Sequence, residues 1–190
     1  MTTANYNNAE YKEAFKLLME CEGVYSNDSA DKGGETKYGF SKRAHPEIDF
    51  QQFTWADAEK KAFTDYWVPC GSLQLFQEFS HKDRYAVSVL CERLFNFSFN
   101  MGIKQAVKLL QQSCRAVIGE NVIEADGVIG NQTMNKIKHI LKCGMCHHLI
   151  CVYKAEAANF YRSIGVGDQK KFLHGWLNRA YRTYYRTGVL

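Results

Sequence analysis

Tyr11, Phe15, Leu18 and Glu22 recur at intervals of four, three and four. That is the spacing of one face of an α-helix, so all four share the stripe turned toward a core. The stripe runs into a polar stretch rich in glycine, in which residues 33–40 are predicted to form a turn or short hairpin. Further on, Thr54-Trp55-Ala56-Asp57 has the form of a capping box, with Asp57 where Glu is more usual. It opens a helix through about Trp67, stopped by Pro69 and Gly71. Apolar positions predict a short helix over 73–79 and a longer one over 84–100. In the latter Val87, Leu90, Cys91, Leu94 and Phe95 keep helical spacing, while Phe95, Phe97 and Phe99 alternate as in a strand.

A second module is expected to begin near 96–100. Ala106, Val107, Leu109, Leu110, Cys114 and Val117 mark an amphipathic helix over 104–118. Asp126-Gly127-Val128-Ile129-Gly130 then reads as a turn, with Asn131 or Thr133 capping the helix that follows. The stretch 132–161 is helical in pattern, with a break possible at Gly144. The fold class is therefore mainly α, with a small β-hairpin or loop element near residues 24–40.

Composition narrows the function. Hydrophobic residues make up 46% and charged residues 23% of the 190 positions, the balance of a folded chain rather than a disordered one. A net charge of +4 suits an anionic surface but is too small, and too evenly spread, to indicate nucleic acid. No apolar run approaches the ~20 residues of a membrane span, so no membrane insertion is expected. The polar start, Met1-Thr2-Thr3-Ala4-Asn5, lacks the pattern of a signal peptide. Without one, the seven cysteines are expected as free thiols. Cys143-Gly144-Met145-Cys146-His147 spells a haem-attachment motif, with His148 and Cys151 nearby. It lacks an axial ligand and a second paired cluster, and neither metal nor other cofactor is expected. Cys21 with His45 or His81 is too scattered a set for a cysteine peptidase. No phosphate-binding P-loop, dinucleotide fingerprint or HExxH is found.

The candidate chemistry lies at Glu22. An apolar setting disfavours the charged form of a carboxyl, and a carboxyl kept protonated near neutral pH can serve as general acid. The alternative is a helix-end carboxylate bent into solvent. A glycosidase needs one carboxyl to protonate the leaving oxygen and a second group to activate water, attack, or stabilise the ring cation. Asp31 and Thr36 are the candidates for that second role, with Asp28 and Glu35 as alternatives.

The run from Glu22 to Phe40, E-G-V-Y-S-N-D-S-A-D-K-G-G-E-T-K-Y-G-F, resembles the opening motif of the glycoside hydrolase family 108 muramidases, E-G-G-Y-x-N-D-P-x-D-x-G-G-x-T-x-Y-G-I. These are lysozyme-like enzymes of bacteria and phages, some once labelled secretion activators. Val24, Ser29 and Phe40 are the departures, and none removes a reactive group. The resemblance implies a lysozyme-like helical fold, Glu22 as the catalytic acid, and a glutamate–aspartate–threonine set of Glu22, Asp31 and Thr36. It also implies Tyr25, Gly34 and Tyr38 as substrate-binding residues. More loosely, Asn100-Met101-Gly102, Asp126-Gly127-Val128-Ile129-Gly130 and the closing segment through Trp176 resemble the predicted peptidoglycan-binding module of this family. That adds Asn100 and Asp126 as substrate-binding candidates, while Trp176 either stacks on a sugar or packs between helices.

The expected organisation is a catalytic module over 1–97 and a helical peptidoglycan-binding module over 98–190 packed against it. The expected activity is cleavage of peptidoglycan between N-acetylmuramic acid and N-acetylglucosamine. The alternative is a non-catalytic peptidoglycan-binding or secretion-accessory protein. The expected partner is cell-wall peptidoglycan. The chain would be made in the bacterial cytoplasm and act in the periplasm or on the wall, released by a phage holin or a dedicated transporter.

Overall fold

A computed structural model describes residues 8–22, 25–26, 35–81, 83–119 and 123–182. The chain forms two compact units, Met1–Trp67 and Val68–Leu190. The first holds helix α1 (Ala9–Glu22), strands β1 (Tyr25–Ser26), β2 (Thr36–Lys37) and β3 (Phe40–Ser41), and helix α2 (Trp55–Ala62). The second is helical among its described residues: α3 (Ser72–Phe79), α4 (Arg84–Met101), α5 (Ile103–Ile118), α6 (Asn131–Lys142), α7 (Cys146–Ile164) and α8 (Leu173–Tyr181). Mainly α with a small β element is thus the fold class.

The stripe on α1 does what its spacing predicts. Tyr11, Phe15 and Leu18 are fully buried. The Tyr11 ring meets Phe63 edge-on at 4.9 Å and Trp67 at 5.4 Å, and Phe15 meets Trp55 edge-on at 5.1 Å. Each such pair adds about 1 kcal/mol beyond burial. The Tyr11 hydroxyl donates to the Glu59 carbonyl of α2. Burial first, and Glu59 second, hold that phenol well above its ordinary pKa.

Helix α2 starts where the capping box places it. Asp57 N–H donates to Thr54 Oγ1 at 3.3 Å, and Thr54 N–H donates to the Asp57 carboxylate at 2.9 Å. Beyond Ala62 the chain widens into a π-helical turn, Phe63–Trp67, which the apolar periodicity does not distinguish from α-helix. The three strands form one antiparallel sheet in the order β1-β2-β3. Tyr38 and Gly39 alone join β2 to β3, with φ of +52° and +77°. Positive φ at both positions is the demand of a type I′ hairpin turn.

In the second unit the Phe95–Phe99 segment is helical, because Phe95 and Phe97 both enter the core from α4. Gly144, at φ +70°, separates α6 from α7. One expectation fails: neither Asn131 nor Thr133 caps α6. Gly130 occupies the cap position and no side chain bonds there. Thr133 is drawn inward instead, its hydroxyl within 3.1 Å of the buried Gln111 amide. Helix α4 runs unbroken across residues 97 and 98, and the compact units divide at 67/68.

Candidate active site

Glu22 is the last residue of α1, at the end of the buried stripe. It is half-buried, and its Oε1 is shielded from solvent. The last turn of α1 carries no basic residue. A carboxylate there faces the negative end of the helix dipole without a cation in that turn to offset it.

Sheet register puts Thr36 in the central strand, opposite Ser26 on one side and Ser41 on the other. The Glu35 carbonyl accepts from Lys42 N–H at 2.8 Å and closes the hairpin. Tyr38 leans on the edges of Trp55 (5.8 Å) and Phe53 (6.2 Å), with the Lys37 ammonium 5.7 Å from its ring. Lys37 is itself fixed by donating to the Phe50 carbonyl at 2.8 Å. Beneath the hairpin Phe40 is buried among His45, Phe53 and Tyr66. Asp28, Asp31, Gly33, Gly34 and the Tyr25 side chain lie outside the described residues.

Sequence reasoning missed a polar group within electrostatic reach of Glu22. Tyr66, on the π-helical turn, has its phenol pKa raised by burial first and by Asp65 next; Lys61 opposes the rise and the Glu22 carboxylate adds to it. Tyr66 therefore lies within electrostatic reach of Glu22 and stays protonated at neutral pH. Lys61 bridges Asp65 at 2.8 Å and Glu47 at 3.1 Å, and Glu47 reaches His45 Nδ1 at 3.3 Å. The backbone N–H of Glu47 foremost, with Lys61 and His45 assisting, lowers the Glu47 pKa. Burial lowers the Lys61 pKa, but its two carboxylate partners outweigh this and raise it overall. No local pattern marks this set, because its members come from a loop and two kinds of helical turn.

The candidates of the second unit are engaged internally. Asn100 Oδ1 accepts from Tyr161 Oη at 2.8 Å. Asp126 Oδ1 accepts from Val128 N–H and from Gln111 Nε2, both at 2.8 Å; the Val128 bond foremost lowers its pKa. Trp176 stacks on Tyr161 at 5.6 Å. Cys143 and Cys151 are exposed, whereas Cys146 is buried. Among the described residues no group of three His, Cys, Asp or Glu could hold a metal ion, and no helix is long and apolar enough to cross a membrane.

Residues 15–85 match the family model described as glycosyl hydrolase 108. Residues 105–181 match the one described as predicted peptidoglycan domain. Residues 15–85 thus form a glycosyl hydrolase 108 domain. The first match contains Glu22, the sheet and Tyr66, and the second contains Asp126 and Trp176. A solved structure, that of Brucella abortus SagA, shares the fold with a TM-score of 0.68 at 20% identity, over 90% of this chain and 90% of that one. The curated proteins give no match. That domain, joined to the predicted peptidoglycan domain, makes the chain a glycoside hydrolase directed at cell-wall peptidoglycan.

Proposed function

We propose that the chain is an N-acetylmuramidase, cleaving the glycan between N-acetylmuramic acid and N-acetylglucosamine with Glu22 as general acid. The supporting observation is Glu22 itself, which ends an apolar stripe with Oε1 shielded from water and lies inside the glycosyl hydrolase match. The acid protonates the glycosidic oxygen as the bond to the sugar breaks. Asp31 and Thr36 position the attacking water or stabilise the ring cation in this reading. Tyr25, Gly34 and Tyr38 contact the glycan. Asn100 and Asp126 contact it with the lone pairs left over from their internal bonds. The functional modules are 1–97 and 98–190, and a holin or transporter delivers the chain to the wall.

The test is lysis of purified cell walls, read as turbidity together with new reducing ends, for wild type against Glu22→Gln. The amide keeps the shape but cannot donate the proton, so the rate should fall at least ~10²-fold, with circular dichroism unchanged. New reducing ends on N-acetylmuramic acid fix the bond. Equal rates would move the acid elsewhere. Wall retention without lysis by either protein would favour the non-catalytic accessory reading.

A further inference from the structure

The second unit contains a pocket of about 170 Å³ between α4 and α7, at the end of α8. Tyr85, Val89 and Arg93 line it from successive turns of α4, Ile150 and Lys154 from α7, and Arg182 from just past α8. We propose that this pocket binds the terminal carboxylate of a peptidoglycan stem peptide, with the alanyl methyl against Val89 and Ile150. The proposal rests on peptidoglycan being the target, and assigns the second unit a peptide ligand rather than a sugar.

Charge and size carry the argument. Arg93 is 1% exposed and fixed from behind: its Nε donates to Glu92 at 2.6 Å and its Nη1 to the Arg179 carbonyl at 3.0 Å. Arg179 in turn donates to Asn96 at 2.9 Å, so one buried carboxylate, Glu92, stands among two buried guanidinium groups. Lys154 and Arg182 bring two more cations to the pocket, and among the described residues Lys154 makes no ion pair. Burial first, and Arg93 next, lower the Lys154 pKa; a bound anion opposes both effects. The volume is below the ~300–1,000 Å³ of ordinary small-molecule sites and suits an amino-acid-sized end group. A wall phosphate shares the charge but makes no use of the apolar side formed by Val89 and Ile150.

The experiment titrates the full chain, followed by amide chemical shifts, with N-acetyl-D-alanyl-D-alanine, with its C-terminal amide, and with inorganic phosphate. The acid should shift Val89, Ile150 and Lys154, and the amide should bind at least ten-fold more weakly. Lys154→Gln should weaken the acid about ten-fold, the effect of one charge-assisted hydrogen bond, with the thermal midpoint unchanged. Equal binding of acid and amide, tighter binding of phosphate than of dipeptide, or no shifts at these residues would each overturn the proposal. Binding of the dipeptide does not depend on lysis. A chain that binds it yet fails to cleave walls would therefore sink the muramidase reading alone.

Discussion

Gln111 offers the sharpest test of what the Asp126–Gly130 loop is for. Its side chain is 1% exposed on α5. Its Oε1 accepts from Gly127 N–H at 2.8 Å. Its Nε2 lies 2.8 Å from Asp126 Oδ1 and 3.1 Å from both the Val128 carbonyl and Thr133 Oγ1. One buried amide thus ties the loop to the start of α6. Gly127, at φ +81°, fits there because a Cβ would lie 2.6 Å from the Lys104 carbonyl. Gln111→Met keeps length and volume and removes every bond. Counting only two neutral bonds at about 1 kcal/mol each gives a loss of roughly 2 kcal/mol. With a urea slope of roughly 2 kcal/mol/M, the unfolding midpoint falls by about 1 M. Circular dichroism in urea measures that, and hydrogen exchange at Gly127 should quicken because its N–H loses its acceptor. An unchanged midpoint, or unchanged Gly127 exchange, would refute the structural account of this loop.

Thr54→Ala should cost about 1 kcal/mol by removing the cap of α2. Thr54 foremost lowers the Asp57 pKa from 3.8. That share of the stability is present above the ordinary value and lost as the pH falls through the lowered one, so the mutant deficit in urea should shrink in acid. A thiol reagent should label exposed Cys143 and Cys151 at once and leave Cys70, Cys114 and Cys146 slow, since they are buried with pKa values raised to about 11, 12 and 12; mass spectrometry of early time points checks the order. Tyr66→Phe should lower kcat about ten-fold with KM little changed and alter the pH profile of lysis, because a protonated phenol within electrostatic reach of Glu22 is removed; an unaltered profile with reduced stability would make Tyr66 merely structural.

The helices were legible because their signals are local. The Tyr11–Phe15–Leu18 stripe and the Thr54 capping box each need only a few neighbouring residues, and both stand in the structure. The hairpin was legible as a glycine-rich region over 33–40 but not in its exact turn, because Tyr38, at φ +52°, holds a position that favours Asn, Asp or Gly. What escaped depends on distant partners. Thr133 looks like a cap, but the buried Gln111, 22 residues earlier, claims its hydroxyl. Tyr66 sits in a helical run like any core aromatic, and only folding brings it within reach of Glu22. Glu22 itself was visible as a position. A carboxyl recurring on an apolar stripe contradicts the pattern around it, and such contradictions gather at functional sites.

That contradiction has a measurable consequence for stability. Glu22 shields one carboxyl oxygen from solvent at the C-terminal end of α1, with no basic residue in the last turn. A negative charge at that end of a helix is opposed by roughly 0.3–1 kcal/mol. Glutamine in the same place carries no charge and keeps nearly the same volume. Glu22→Gln should therefore hold or raise the thermal midpoint at neutral pH while it abolishes most lysis. Scanning calorimetry of the two proteins measures the first quantity and wall turbidity the second. A Glu22→Gln protein that melts several degrees lower at neutral pH would mean that the carboxylate anchors the end of α1, and the loss of lysis would then report on folding rather than on proton transfer.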